Sequence, residues 1–116
     1  MRIPVALLAL LLLAACQESG PTKDDPSYAG DVQPLFNSSC VGCHGGGSPA
    51  ADYDLASRAG ALGAGTDTIA NVIAGNPGAS ELHRRLDEGT MPPTGRWDSS
   101  KVATVRNWIA RGAKDN

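Results

Sequence analysis

The chain has 116 residues, of which 41% are hydrophobic, and a formal net charge of −2 from 10 basic and 12 acidic side chains. The charges are mixed along the sequence without a basic stripe, which argues against a nucleic-acid partner, and the length predicts a single domain. With only one Phe, two Trp and two Tyr against 14 Gly, we expect a disulfide framework, a metal or a cofactor to complete the core, and the odd count of three Cys leaves at least one without an internal partner.

Residues 1–15 have the pattern of an export signal. The positive start Met1-Arg2 precedes a run that is apolar except for Pro4 and shorter than the roughly 20 residues needed to cross a membrane. The run ends in Ala14-Ala15-Cys16, which resembles the lipobox of bacterial lipoproteins. That resemblance implies that Cys16 becomes a lipidated N-terminus and anchors the protein on the periplasmic side of the inner or outer membrane. An ordinary cleavable signal and a short buried helix are the alternatives.

Residues 16–27 predict a tether between the membrane and a folded body. After the candidate lipidated Cys16 they contain no large apolar side chain, a composition that does not support independent folding. The body is expected to span residues 28–116 as one all-α domain of about 3–5 short helices, because nothing alternates like a strand over a useful length.

The first helix is predicted from Asp31 into Cys40. Asp31 is its candidate N-cap, and Pro34 falls in the first turn, where a missing N–H does no harm. Its apolar face repeats at i, i+3 and i+4, at Val32, Leu35 and Phe36.

The sequence Cys40-Val41-Gly42-Cys43-His44 is a C-x-x-C-H motif, the pattern of covalent c-type haem attachment. Two thiols three residues apart can each add to one haem vinyl group, and the following His can bind the iron as its proximal ligand. A redox pair would need a βαβ context, which is absent. A zinc site would need four ligands, and His83 is the only other His. A plain Cys40–Cys43 disulfide leaves His44 unexplained.

The middle of the chain predicts mostly irregular structure. Residues 45–49 read as a loop, residues 54–61 as a short helix, and residues 60–79 as a Gly- and Ala-rich wrapping with a turn at Asn76-Pro77-Gly78.

Two further helices are predicted in the last third of the chain. The first runs from its cap Ser80 through Glu88, buries Leu82 and Leu86, and stops at Gly89. A Pro- and Gly-containing loop over residues 90–97 follows. The last helix is capped by Asp98 or Ser99, ends at Gly112, and has an apolar face made of Val102, Val105, Trp108 and Ile109.

Two residues are candidates for the second axial ligand of a haem iron. Met91 stands before Pro92-Pro93, which restrict its loop, and a thioether stabilises Fe(II) and raises the reduction potential. We therefore predict Met91 as the ligand in preference to a core-filling role. His83 lies beside the apolar stripe of its helix and is predicted as a surface residue. As the ligand it would give a bis-His iron of lower potential.

Together these stretches resemble small monohaem cytochromes c of class I type, most closely the planctomycete-type cytochrome c domains. The resemblance extends over about residues 28–114 and implies a compact α-helical fold around one haem c. It implies thioethers at Cys40 and Cys43, with His44 and Met91 as the iron ligands. It places Phe36 and Trp108 where the first and last helices cross, and Val32 stands where such proteins often have Gly. Candidates for contacts to a haem propionate are Arg84, Arg85 and the Trp97 indole.

The predicted function is that of a lipid-anchored, monomeric one-electron carrier that shuttles electrons between unidentified redox proteins. The chain offers no nucleophile–base pair and no paired carboxylates placed for acid–base chemistry, so we do not expect an enzyme. The alternatives are a haem-based sensor or peroxidase-like enzyme in which the sixth ligand is labile, and an electron-entry subunit of a larger membrane oxidoreductase.

Overall fold

The computed structural model describes residues 22–116, and within that range the protein is helical and has no strand. This confirms the predicted all-α class. None of the described helices is long and apolar enough to cross a membrane. The predicted signal peptide at residues 1–15 and Cys16 lie outside the described residues. The α-helices are α1 (Gln33–Ser39), α2 (Arg58–Ala61), α3 (Glu81–Glu88) and α4 (Ser99–Ala110).

The first helix begins earlier than the sequence predicts, because a π-helical turn at Tyr28–Val32 leads directly into α1. The N-cap is Ser27, whose Oγ accepts a hydrogen bond from the Gly30 N–H at 3.0 Å. The prediction of Asp31 as N-cap is therefore wrong. Its carboxylate instead reaches back and accepts from the Ser27 N–H at 2.8 Å, so two otherwise unpaired N–H groups are satisfied reciprocally. Pro34 lies in the first turn of α1, as expected.

The end of the predicted tether packs against the domain. Pro26 is fully buried, Lys23 Nζ lies 2.7 Å from the Asp31 carboxylate, and the Lys23 carbonyl accepts from Asn107 on α4. Contacts with the folded body therefore extend back to Lys23 within the segment predicted as a tether. Composition does not reveal this docking because it uses a proline ring, a lysine ammonium group and a backbone carbonyl, and no large apolar side chain.

The two ends of the domain meet through aromatic side chains. Phe36 and Trp108 are both buried, as the resemblance implied, but Tyr28 lies between them, with ring centroids 6.4 Å from Phe36 and 5.2 Å from Trp108. Burial raises the pKa of the Tyr28 hydroxyl to about 12. The rest of the core gathers apolar residues from all parts of the domain, among them Val32, Leu55, Ala61, Val72, Leu82, Leu86, Trp97, Val105 and Ile109.

The middle segment is irregular, as predicted, with two short exceptions. A 3₁₀ turn occupies Ala50–Asp52, and α2 is confined to Arg58–Ala61, where Ser57 caps it, so the helix predicted over residues 54–61 covers only its last four positions. The predicted turn after Asn76 is a 3₁₀ turn at Pro77–Ala79.

The helices α3 and α4 have the predicted bounds. Gly89 ends α3 at φ 78°, a left-handed conformation that Gly adopts without strain. Ser80 stands at the N-cap of α3, but its hydroxyl accepts from the Ile73 N–H and donates to the Asn76 carbonyl, which ties the irregular segment to the helix. Asp98 is the cap of α4, accepting from the Lys101 N–H.

Candidate functional site

The C-x-x-C-H motif forms one tight turn at the end of α1. The Cys40 N–H donates to the Phe36 carbonyl at 2.8 Å, and the Cys40 carbonyl accepts from the N–H groups of Cys43 and His44 at 3.1 and 2.7 Å. The buried Phe36 thus anchors the start of the motif in the core. All three predicted attachment residues belong to a single hydrogen-bonded unit.

The imidazole of His44 is fixed in one tautomer by two backbone carbonyls. Its Nδ1 lies 3.0 Å from the Ala50 oxygen and 3.1 Å from the Tyr53 oxygen. A carbonyl only accepts hydrogen bonds, so in the neutral ring Nδ1 carries the proton and the lone pair of Nε2 is available to a metal. A His whose other nitrogen donates to a carbonyl is oriented as a metal ligand, and that hydrogen bond raises its basicity.

Tyr53 supports this histidine in a second way. Its ring meets the His44 ring edge-on at a centroid distance of 5.8 Å, and its hydroxyl donates to the Ala61 carbonyl at 2.6 Å. Burial raises the pKa of the Tyr53 hydroxyl, which therefore stays neutral and serves as a donor. Neither Ala50 nor Tyr53 was predicted from the sequence, because any residue type can provide a backbone carbonyl that orients a ligand.

The two thiols of the motif differ in exposure. Cys40 is buried and Cys43 is exposed, and both are free of disulfides. Burial raises the pKa of the Cys40 thiol to about 11, so it is uncharged near neutral pH. The pair is thus chemically available for bonds to another group, one from inside the fold and one at its surface.

Gly45 is required directly after the motif. A Cβ at this position would lie 2.7 Å from both the Cγ1 and the carbonyl oxygen of Val41. The loop then returns to the motif, because the Ala50 N–H donates to the Cys43 carbonyl at 2.8 Å and the Leu55 N–H donates to the His44 carbonyl at 2.7 Å. The predicted loop at residues 45–49 is therefore confirmed, and it closes on the site.

Met91 is half-buried in a loop that is anchored separately. The N–H groups of Thr90 and Met91 both donate to the Arg85 carbonyl at the end of α3, at 3.0 and 3.3 Å. Pro92, joined to Met91 by a cis peptide bond, is buried. This loop is thus tied to α3 and the core, whereas His44 is tied to α1 and its following loop.

Two buried ring nitrogens have no hydrogen-bond partner among the described residues, His83 Nδ1 and Trp97 Nε1. Trp97 is 94% buried, so its N–H is fully withdrawn from water. The expectation of a surface His83 is only partly right, because the residue is half-buried and its Nδ1 is enclosed. The indole N–H of Trp97 is always a donor, and a buried donor without a partner is uncommon in native proteins, so an acceptor from outside the chain would satisfy it.

The two arginines of α3 have a partner of their own. Arg84 and Arg85 both bind the Glu81 carboxylate, with Arg85 Nε at 2.7 Å. Their hydrogen bonds, led by that of Arg85, hold the pKa of Glu81 below its usual range. Both guanidinium groups are largely exposed, so they form a surface ion-pair cluster on the helix.

The helical fold, the hydrogen-bonded motif and the oriented His44 define a small c-type cytochrome domain. Residues 40–95 match the family model described as Planctomycete cytochrome C. The match covers the motif, α3 and the Met91 loop, and over this segment it confirms the predicted resemblance to the planctomycete-type cytochromes c. The match indicates a haem-containing electron carrier with covalently bound haem c. No curated protein and no solved structure matches the chain significantly.

Proposed function

We propose that this protein is a one-electron carrier with a single haem c, covalently held by Cys40 and Cys43 and ligated by His44 and Met91. The observation that carries the proposal is the orientation of His44, whose Nδ1 donates to two backbone carbonyls within the hydrogen-bonded motif that also holds the free thiols of Cys40 and Cys43. That donor set fits haem c and its iron.

The rest of the structure fits the same group. The unpartnered Trp97 N–H is a donor suited to a haem carboxylate, which would supply the acceptor that the described chain lacks. Arg84 and Arg85 are less suited to that role because Glu81 already binds them. Haem, when bound, supplies reversible one-electron chemistry between Fe(III) and Fe(II).

The chain's own contribution is to supply and orient the ligands. The carbonyls of Ala50 and Tyr53 hold the His44 ring in one orientation, so a change of iron charge does not require the ligand to reorganise. Met91 contributes a soft sulfur that favours the reduced state. If Met91 and His44 both bind the iron, no coordination site would be open to a substrate, and the proposal is therefore a carrier and not an enzyme.

The proposed location is the periplasmic side of the inner or outer membrane. It rests on the export pattern of residues 1–15 and on Cys16 as the lipidated residue. The carrier is proposed to act as a monomer between redox proteins, without a nucleic-acid partner. Docking of Lys23 and Pro26 onto the domain leaves the chain between Cys16 and Lys23 as the link to the membrane.

Replacement of Met91 by Ala in the haem-loaded protein tests the ligand assignment. The wild-type ferric protein should show the weak sulfur-to-iron charge-transfer band and should not bind carbon monoxide when reduced. Met91→Ala should lose that band, bind carbon monoxide, and have a lower reduction potential because the thioether no longer stabilises Fe(II).

His83→Ala is the matched control, because His83 is the other candidate ligand. It should leave both the band and the resistance to carbon monoxide unchanged. If His83→Ala opens the iron and Met91→Ala does not, the ligand pair is bis-His. If the wild-type protein itself binds carbon monoxide, the carrier is replaced by the sensor or peroxidase-like alternative.

A further inference from the structure

The haem-attachment motif lies in a stretch without charged side chains. No Asp, Glu, Lys or Arg occurs from Val32 to Ala51, although 19% of the whole chain is charged. Among the described residues, no charged side chain elsewhere forms a hydrogen bond with this stretch. The motif and the loop after it therefore contribute no charge of their own to the surface, and the first charged residue after them is Asp52, which is exposed in the following 3₁₀ turn.

Between Val41 and Pro49, at the motif itself and in the loop after it, the exposed residues are small. We call them the neutral patch, which consists of Gly42, Cys43, Gly46, Gly47 and Ser48. Its residues stay together because the loop closes on itself through the hydrogen bond from the Ala50 N–H to the Cys43 carbonyl. Cys43, the exposed thiol of the motif, lies within it.

Neither Gly42 nor Gly47 is required by the fold. A Cβ at either position would meet no atom within 4 Å, and neither residue has a positive φ, unlike Gly46. Gly in such a position costs conformational entropy that Ala would save, and Gly→Ala there ordinarily stabilises a protein. Packing and backbone geometry thus leave the absence of side chains at these two positions unexplained.

We propose that the neutral patch is the surface through which electrons enter and leave, and that its partner is a redox protein with an equally uncharged docking face. This inference rests on the proposed function. With haem attached at the exposed Cys43, the missing side chains would let a partner approach the cofactor closely, and electron tunnelling slows steeply with distance. The proposed partner is uncharged because a charged face would lose its hydration against this patch without finding an opposite charge.

An uncharged contact also determines how association responds to salt. Complementary charges accelerate encounter and make the rate fall with ionic strength, whereas a neutral contact lacks both effects. The chain as a whole is negative, so a reaction governed by its overall field would distinguish probes by their sign. A reaction at the neutral patch would not.

The test uses the haem-loaded protein and two inorganic oxidants of opposite charge, hexacyanoferrate(III) and tris(phenanthroline)cobalt(III). Second-order oxidation rates are measured by stopped flow over a range of ionic strength. We expect rates nearly independent of salt for both oxidants. The reduced variant Gly42→Lys/Gly47→Lys should be oxidised by the anionic hexacyanoferrate(III) roughly tenfold faster than the wild-type protein at low ionic strength. This increase in rate should vanish at high salt.

Ala29→Lys/Ala110→Lys is the matched control, because it adds the same charge at exposed positions outside the patch. It should change the rates far less. Equal effects of the two double variants, or opposite salt slopes for the two probes with the wild-type protein, would overturn the proposal. Covalent haem content and reversible reduction are recorded first for each protein, and failure there counts against the proposed function and not against the patch.

Discussion

The two tryptophans of the domain are both buried but differ in the hydrogen bonding of their indole groups. Trp108 Nε1 donates to the Lys114 carbonyl at 3.0 Å, whereas Trp97 Nε1 has no partner among the described residues. Burial of a donor without an acceptor costs about 1–3 kcal/mol, so the position of Trp97 makes sense only if something else accepts from it. Replacement of each tryptophan by Phe can therefore distinguish a purely structural role from a contact with the cofactor.

Trp97→Phe in the haem-loaded protein should lower the reduction potential by about 30 mV, or roughly 0.7 kcal/mol for one electron. The physical reason is that the indole N–H would disperse part of a haem carboxylate's negative charge, and the unshielded charge favours Fe(III). Trp108→Phe should leave the reduction potential unchanged. It should lower the unfolding free energy by about 1 kcal/mol more than Trp97→Phe does, because the Lys114 carbonyl loses its hydrogen-bond donor. Spectroelectrochemical and urea titrations provide the two readouts. An unchanged potential in Trp97→Phe would mean that its N–H faces no haem carboxylate.

At the scale of the helices, the start of the first helix depends on a carboxylate. Hydrogen bonds from Lys23 and from the Ser27 N–H hold the pKa of Asp31 below its ordinary value of 3.8. The folded state therefore favours the ionised form. The stabilisation is fully present above the ordinary pKa and is lost as the pH falls through the lower folded value.

Asp31→Asn tests this pH dependence. The difference in unfolding free energy between wild type and Asp31→Asn should be constant near neutral pH and shrink as the solution is acidified below the ordinary pKa. Ser27→Ala is the control, because loss of a hydroxyl cap should cost about 1 kcal/mol at every pH. Urea titrations at a series of pH values check both. A difference for Asp31→Asn that does not vary with pH would contradict the role assigned to the carboxylate.

Much of this helical layout follows from local sequence signals. Gly89 and Asp98 mark helix ends because each supplies a backbone conformation or an acceptor that the end requires, and the structure uses both as predicted. Asp31 misled the prediction because a capping residue and a carboxylate that reaches back four positions look alike in sequence. Tyr28 was not predicted as a core residue because it packs between Phe36 and Trp108, and Trp108 is distant along the chain.

In the candidate site, too, some residues can be predicted from the sequence and others cannot. The motif names Cys40, Cys43 and His44 directly, because covalent attachment and ligation require those side chains at that spacing. It does not name Ala50 or Tyr53, whose carbonyls orient His44 from the first residue of a 3₁₀ turn and from the residue that follows the turn. Roles performed by main-chain atoms depend on the fold and not on residue type.

At the scale of the whole molecule, the two ends of the described chain are joined. The Asn116 carbonyl accepts from the Ala29 N–H at 3.1 Å, its side chain accepts from the Tyr28 N–H at 2.9 Å, and Arg58 donates to the Ala113 carbonyl at 2.8 Å. These bonds tie the start of the helical domain and α2 to the C-terminal residues. A small domain with few large apolar side chains needs a further group to complete its core.

The haem is expected to be that group, and variants that cannot attach it test this expectation. Cys40→Ala/Cys43→Ala should abolish covalent attachment and, at 25 °C, remove most of the helical circular dichroism and the cooperative thermal transition. Cys43→Ala is the graded control. It removes the exposed link but keeps Cys40 and the oriented His44, so it should retain haem and unfold cooperatively at a lower temperature. A haem-free double variant that still unfolds cooperatively would show that the aromatic cluster and the joined termini are sufficient without haem, and the small core would then need no cofactor to explain it.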